Sequence, residues 1–243
     1  MRIIYLAVAF AIYAIFFATF LYLIGFVANV PQLPVTVDTG PDASFVTALG
    51  IDLLLIAAFG VQHSLMARQG FKRVWTRIVP PPLERSVYVL ASSLLLMLMF
   101  VGWRPMPTEL WRIEGAFAVI LWGLFGLGWG IVLLSTFLIN HFELFGLSQV
   151  IRHMVNRDTA APVFYTPLLY RLVRHPLYLG FLMAFWITPV MTLGHAVLAA
   201  GMTVYILIAI GYEERDLVAV FGETYRRYQQ RVGMLLPGIG KRG

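Results

Sequence analysis

Two stretches of this chain most constrain its fold. No charged residue stands between Arg2 and Asp38, and residues 177–212 contain no Asp, Glu, Lys or Arg. In hydrocarbon every backbone N–H and C=O must be satisfied within the protein, and a helix does this over roughly 20 apolar residues. The remainder fits: 60% of the 243 residues are hydrophobic and only 12% charged, where a soluble domain carries about a quarter charged. A water-soluble core of this length cannot hide that much apolar surface. A soluble globular enzyme and a disordered chain are therefore excluded. The chain reads as an all-α, polytopic integral membrane protein.

The first span is expected over residues 3–28, stopped by Pro31 and Pro34, and is too long for a signal-peptide core. Further spans are expected over 44–66, with Asp52 and His63 inside it, over 86–103 and over 115–139. The run 177–212 is too long for one crossing and short for two. Thr188-Pro189 and Gly194-His195 interrupt it, which predicts a helical hairpin with limbs over 176–187 and 196–212. The expected architecture is thus about four spanning helices, a C-terminal hairpin and an amphipathic tail at the cytoplasmic face. It forms one domain, in which 1–139 supplies the N-terminal helices and 140–243 the loop, hairpin and tail that build the site.

With the N-terminus inside, sixteen of the 18 Lys and Arg fall on the cytoplasmic side and only Arg104 and Arg112 outside. Membrane topology therefore accounts for the formal charge of +6, and no nucleic-acid partner is expected. The expected location is an inner (plasma) membrane, with the N-terminus cytoplasmic. There is no cysteine, which removes disulfides and thiolate nucleophiles. The histidines show no zinc-ligand spacing, so no metal is expected. Gly126-x-Gly128-x-Gly130 has no strand before it and is no dinucleotide loop; Gly126 and Gly130 are expected to serve helix packing.

The polar residues concentrate at the hairpin's feet. Arg174-His175-Pro176 opens it, with proline preorganised for a helix start whose N–H groups favour an anion. Glu213-Glu214-Arg215-Asp216 closes it. Donors for an anionic group then stand beside acceptors for a cationic one. That pairing suits S-adenosylmethionine: its carboxylate at the helix start and His175, its ammonium or ribose hydroxyls at Glu213 or Glu214, its adenine under Tyr225 and Tyr228. The plainer alternative is an interfacial tail whose aromatic rings sit at the lipid headgroups while Arg226, Arg227 and Arg231 meet anionic lipid.

Arg174-His175-Pro176-x-Tyr178-x-Gly180, Glu213-Glu214 and Phe221-Gly222-x-x-Tyr225-x-x-Tyr228, with Val232 and Pro237, together resemble the signature of the isoprenylcysteine carboxyl methyltransferase and phospholipid N-methyltransferase superfamily. Gln62-His63-Ser64-Leu65-Met66-Ala67-Arg68 is similar to its NnrU-like branch. Asn140-His141-Phe142-Glu143-Leu144-Phe145-Gly146-Leu147-x-Gln149 resembles the bacterial methanethiol S-methyltransferases. The resemblance implies S-adenosylmethionine as cofactor, held by Arg174, His175, Leu177, Tyr178, Gly180, Glu213, Glu214, Tyr225 and Tyr228. It implies methyl transfer to methanethiol, giving dimethyl sulfide, with hydrogen sulfide as a second acceptor. The nucleophile is the thiolate, and His141 is the candidate to accept the thiol's proton, directly or through water. Asn140, Glu143 and Gln149 are candidates to orient it or line the pocket, and His63 and Phe142 to contact the thiol. Glu143 alternatively pairs with Arg152 or His153. Two rival functions stand beside this one: methylation of a lipid or prenylcysteine carboxylate, and a transporter or non-catalytic membrane protein.

Overall fold

The computed structural model describes residues 1–157 and 163–241. Among the described residues five helices are long and apolar enough to cross a membrane: α1 (Arg2–Val27), α2 (Phe45–Ala67), α4 (Glu84–Gly102, extended by a 3-10 turn at Pro81–Leu83), α5 (Gly115–Ile139) and α9 (Leu193–Phe221). Short helices fill the connections: α3 (Gln69–Trp75), α6 (His141–Leu144), α7 (Leu147–Met154), α8 (Pro176–Trp186) and α10 (Glu223–Arg231). Two short strands, β1 (Glu109–Arg112) and β2 (Val190–Thr192), form a two-stranded sheet. Large apolar side chains on the long helices point outward; Phe117 and Val119 of α5 expose 73% and 71% of their surface. A helix that is apolar all round is one that faces lipid. The protein is an all-α polytopic membrane protein.

Two boundaries differ from the sequence expectation. The break in the 177–212 run comes at residues 187–192, around Pro189, and Gly194-His195 lies in the first turn of α9. The second limb does not stop at Tyr212 either. It continues through Glu213-Glu214-Arg215-Asp216-Leu217-Val218-Ala219-Val220, which holds no Gly or Pro, and ends only at Gly222, whose φ of +56° leaves the helical region. The first limb, α8, has 11 residues, about 16 Å of rise against a hydrocarbon core of about 30 Å.

The chain divides into two compact units that interleave along the sequence. The first comprises residues 1–110, 140–157 and 191–201 of the described chain. Here α4 packs against both α1 and α2, and α7 lies on α1. Phe26 and Phe100 lie 5.1 Å apart, and buried Trp103 donates its ring N–H to the Val37 carbonyl at 3.0 Å. Asp52, buried within α2, accepts the Arg104 backbone N–H at 2.9 Å just beyond the end of α4. Its acidic side chain thus ties a helix end.

The second unit comprises residues 111–139, 163–190 and 202–241. Its central feature is the close crossing of α5 and α8. A Cβ on Gly128 would lie 2.9 Å from the Gly180 carbonyl oxygen, and one on Gly180 would lie 2.7 Å from the Gly128 carbonyl oxygen. Only glycine at both positions allows the two backbones to meet. Gly126 and Gly130, expected to do this, have nothing within 4 Å of where a Cβ would stand. They lie on other faces of α5, because residues two apart on a helix are about 200° apart in azimuth.

Candidate functional site

The feet of the hairpin meet within the second unit. Arg174 donates from Nε to Glu214 Oε1 at 2.7 Å, and His175 Nε2 lies 3.2 Å from the same oxygen. Gln229 of α10 donates to Glu214 Oε2 at 2.9 Å. The Arg174 guanidinium also donates to the backbone carbonyls of Gln229, Val232 and Gly240. Arg174, His175 and Glu214 are almost wholly buried. A buried ion pair persists only where further hydrogen bonds satisfy both ions, and here both are satisfied. One buried cluster therefore joins the start of α8, the far part of α9, and α10 with its following loop.

This arrangement separates the two glutamates that the sequence left equivalent. Glu214 is consumed inside the unit, whereas Glu213, one residue earlier and turned by about 100°, leaves 45% of its side chain exposed and stands 3.8 Å from His175 Nδ1. His175 offers no side-chain cap to α8, and first-turn N–H groups have no acceptor inside a helix. Beside the buried cluster lies a helix start that favours an anion and a carboxylate that favours a cation. Carboxylate and ammonium groups on one ligand fit that pair.

The remaining residues expected at the cofactor are placed differently. Gly180 serves the α5–α8 crossing, where its missing side chain makes room for the neighbouring helix. Arg174 acts by holding the feet together. Tyr225 and Tyr228 are buried, with Phe164 packed against both rings at 5.8 and 5.3 Å. The Tyr228 hydroxyl donates to the Tyr170 carbonyl, and burial pushes its pKa up to about 12. Burial likewise raises Tyr225 and Tyr170. All three stay neutral phenols. The tail's aromatic side thus packs against protein, in place of the headgroup contact expected of an interfacial helix, because Phe164 and Gln229 complete a core around it. Tyr228 also lines a groove of about 520 Å³ with Phe164, Arg171, Arg227 and Arg231.

His141 belongs to the first unit. Asn140 caps α6, its Oδ1 accepting the Glu143 N–H at 3.2 Å and its Nδ2 donating to Glu143 Oε2 at 3.0 Å. Glu143 is gripped by Arg152 through both carboxylate oxygens, at 2.9 and 3.3 Å. Gln149 donates to the Glu143 carbonyl at 3.0 Å. Gly146, at φ +91°, turns the chain between α6 and α7 so closely on Ser86 that a Cβ would lie 2.5 Å from its Oγ. Asn140, Glu143 and Gln149 therefore build the turn that carries His141, with Glu143 in the ion pair to Arg152. The partner that orients the imidazole is one the sequence reading missed: the Tyr13 hydroxyl lies 2.8 Å from Nε2. Its only trace in the sequence is a hydroxyl inside a charge-free span. His141 is 6% exposed, and burial lowers its pKa, favouring the neutral imidazole.

His63 and Phe142 are not gathered at His141 in the same way. Phe142 stands edge-on to the imidazole at 5.5 Å but is half exposed. His63 lies between α2 and α4, its Nδ1 3.0 Å from Ser92 Oγ and its ring stacked on Phe59 at 5.3 Å. Among the described residues no group of three or more His, Cys, Asp or Glu is placed to hold a metal ion.

The chain is 55% identical over 228 residues to methanethiol S-methyltransferase 1 of Bradyrhizobium diazoefficiens, covering 93% of this chain and 80% of that one. It is 54% identical to the methanethiol S-methyltransferase of Pseudomonas deceptionensis, covering 85% and 79%. A Nurim homolog of Drosophila pseudoobscura is 30% identical over 74% of this chain and 72% of its own. No family model and no solved structure matches. At half identity over nearly the whole length, the chain belongs to the methanethiol S-methyltransferase family.

Proposed function

We propose that this protein transfers a methyl group from S-adenosylmethionine to methanethiol, releasing dimethyl sulfide, at the cytoplasmic face of a bacterial inner membrane. The observation that carries the reading is the meeting of an uncapped helix start, His175 and half-exposed Glu213, held by the buried Arg174–Glu214 pair. When bound, the cofactor supplies an electrophilic methyl on sulfonium. The protein's own residues do the rest. The first-turn N–H groups of α8 receive the carboxylate, with the helix dipole adding to the attraction. Glu213 receives the ammonium. Glu214 and Arg174 contact no ligand and hold these donors and acceptors at fixed separation. A methyl transfer to sulfur needs the two reactants held near contact distance and the thiol deprotonated. Neutral His141 is the base for that proton. Sixteen cations on one side of the spans support the orientation.

The test is made on membranes holding the protein, given methanethiol and methyl-labelled S-adenosylmethionine. Labelled dimethyl sulfide in the headspace is the expected result. Label recovered in lipid, with none in the headspace, would transfer the reading to a lipid acceptor. Absence of S-adenosylmethionine binding by calorimetry on purified protein would remove the enzymatic reading altogether.

A further inference from the structure

Tyr13 stands eleven residues into α1, and its hydroxyl meets Nε2 of His141 at 2.8 Å. Between a phenol and a neutral imidazole, the phenol is the stronger acid and the bare ring nitrogen the better acceptor, so Tyr13 donates and Nε2 accepts. The imidazole's own proton then sits on Nδ1. The surroundings keep the pair neutral. Phe145 lies 4.8 Å from the imidazole and 6.2 Å from the Tyr13 ring, and it stacks on Phe16 at 4.0 Å. The charged groups on neighbouring elements are engaged elsewhere. Glu143 and Arg152 pair with each other, and Arg85 donates to the Leu144 carbonyl and lies over the Tyr88 ring. Lys72 pairs with Glu84, His153 stacks on Tyr5, and Arg2 reaches the Met154 carbonyl.

We propose that Tyr13 is the residue that receives the thiol's proton and relays it to His141; this rests on the thiol-methylation reading above. The Nε2 lone pair is directed at the Tyr13 hydroxyl, so the proton that reaches it is Tyr13's own. In the step, the S–H bond breaks and a new O–H bond forms on Tyr13. The old Tyr13 O–H bond breaks and Nε2–H forms. The sulfur pair bonds to the methyl carbon while the donor's C–S bond breaks, leaving a neutral thioether. Tyr13 is neutral before and after; His141 ends as imidazolium and returns its proton to water.

The Tyr13→Phe variant keeps the ring contacts and removes the relay. Two measurements on the full-length protein in nanodiscs test it. Nitrogen-15 spectra of labelled histidine report the tautomer without any turnover: His141 should carry its proton on Nδ1 in the parent and lose that preference in Tyr13→Phe. Turnover with methanethiol should fall about 10²-fold at pH 7, and the deficit should shrink as pH rises and solvent supplies thiolate directly. S-adenosylmethionine affinity should not change. An Nε2–H tautomer in the parent, full activity of Tyr13→Phe at pH 7, or a deficit constant with pH would each overturn the relay. A parent protein that binds S-adenosylmethionine but makes no dimethyl sulfide would instead overturn the reading beneath it, and the relay with it.

Discussion

The two polar clusters of this protein use opposite electrostatics. In the second unit, charge is concentrated and cancelled: Arg174, His175, Glu214 and Gln229 meet in a nearly dry interior with each charge bonded. In the first unit, His141 sits among Phe142, Phe145 and Tyr13, while the nearby ions Glu143 and Arg152 pair with each other. A cluster whose charges are fully spent holds a shape, since removing either member of the Arg174–Glu214 pair would strand a buried charge. A neutral imidazole with a hydroxyl partner has no ion pair to break when it takes up a proton. The richer cluster is therefore the scaffold, and the poorer one is suited to proton transfer.

Substitutions that separate scaffold from chemistry sharpen this contrast. The largest effect is expected from Glu214→Ala, which leaves Arg174 buried and unpaired at a cost of about 3–5 kcal/mol. Thermal unfolding in detergent should drop steeply and S-adenosylmethionine binding should vanish; an unchanged melting temperature would mean that the buried pair does not hold the feet. His141→Ala should cost about 10²-fold in turnover while melting and cofactor affinity stay close to the parent's. The sign of the pH dependence follows from burial. A base must be neutral, and burial lowers the His141 pKa, so activity should fall on the acid side with a midpoint below the ordinary imidazole value of about 6.5. A midpoint above that value, or an unaltered profile in His141→Ala, would remove His141 from the reaction.

Glu213→Gln comes next. Its half-exposed carboxylate should matter to the ligand and not to the fold, so calorimetry should show about tenfold weaker S-adenosylmethionine binding, about 1.4 kcal/mol, with no change in melting. Equal affinity would argue that the ammonium binds elsewhere. The smallest effect belongs to Glu143→Gln, which loosens a partly exposed ion pair worth at most about 1 kcal/mol; turnover should stay within about twofold. A larger loss would place Glu143 in the chemistry and erase the contrast with His141.

Much of this was legible in the chain itself. Long charge-free runs require helices in hydrocarbon, because no other open-ended element satisfies its own backbone there, and residue order alone marked the spans and the break near Pro189. Local chemistry also placed the α8 start at Pro176 and, through the hairpin, brought residues 174–175 beside 213–214. Three things were settled only by packing. Which of two adjacent glutamates is buried depends on how α9 is rotated about its axis, and the run of helix formers to Phe221 kept both inside one helix. Gly128, and not Gly126 or Gly130, meets α8, because one azimuth alone faces the neighbouring backbone. Tyr13 and His141, 128 residues apart, share no motif and no period. Their hydrogen bond exists because α1 and the turn built by Asn140, Glu143 and Gly146 come together in the first unit, and a contact of that range leaves no local pattern in the sequence.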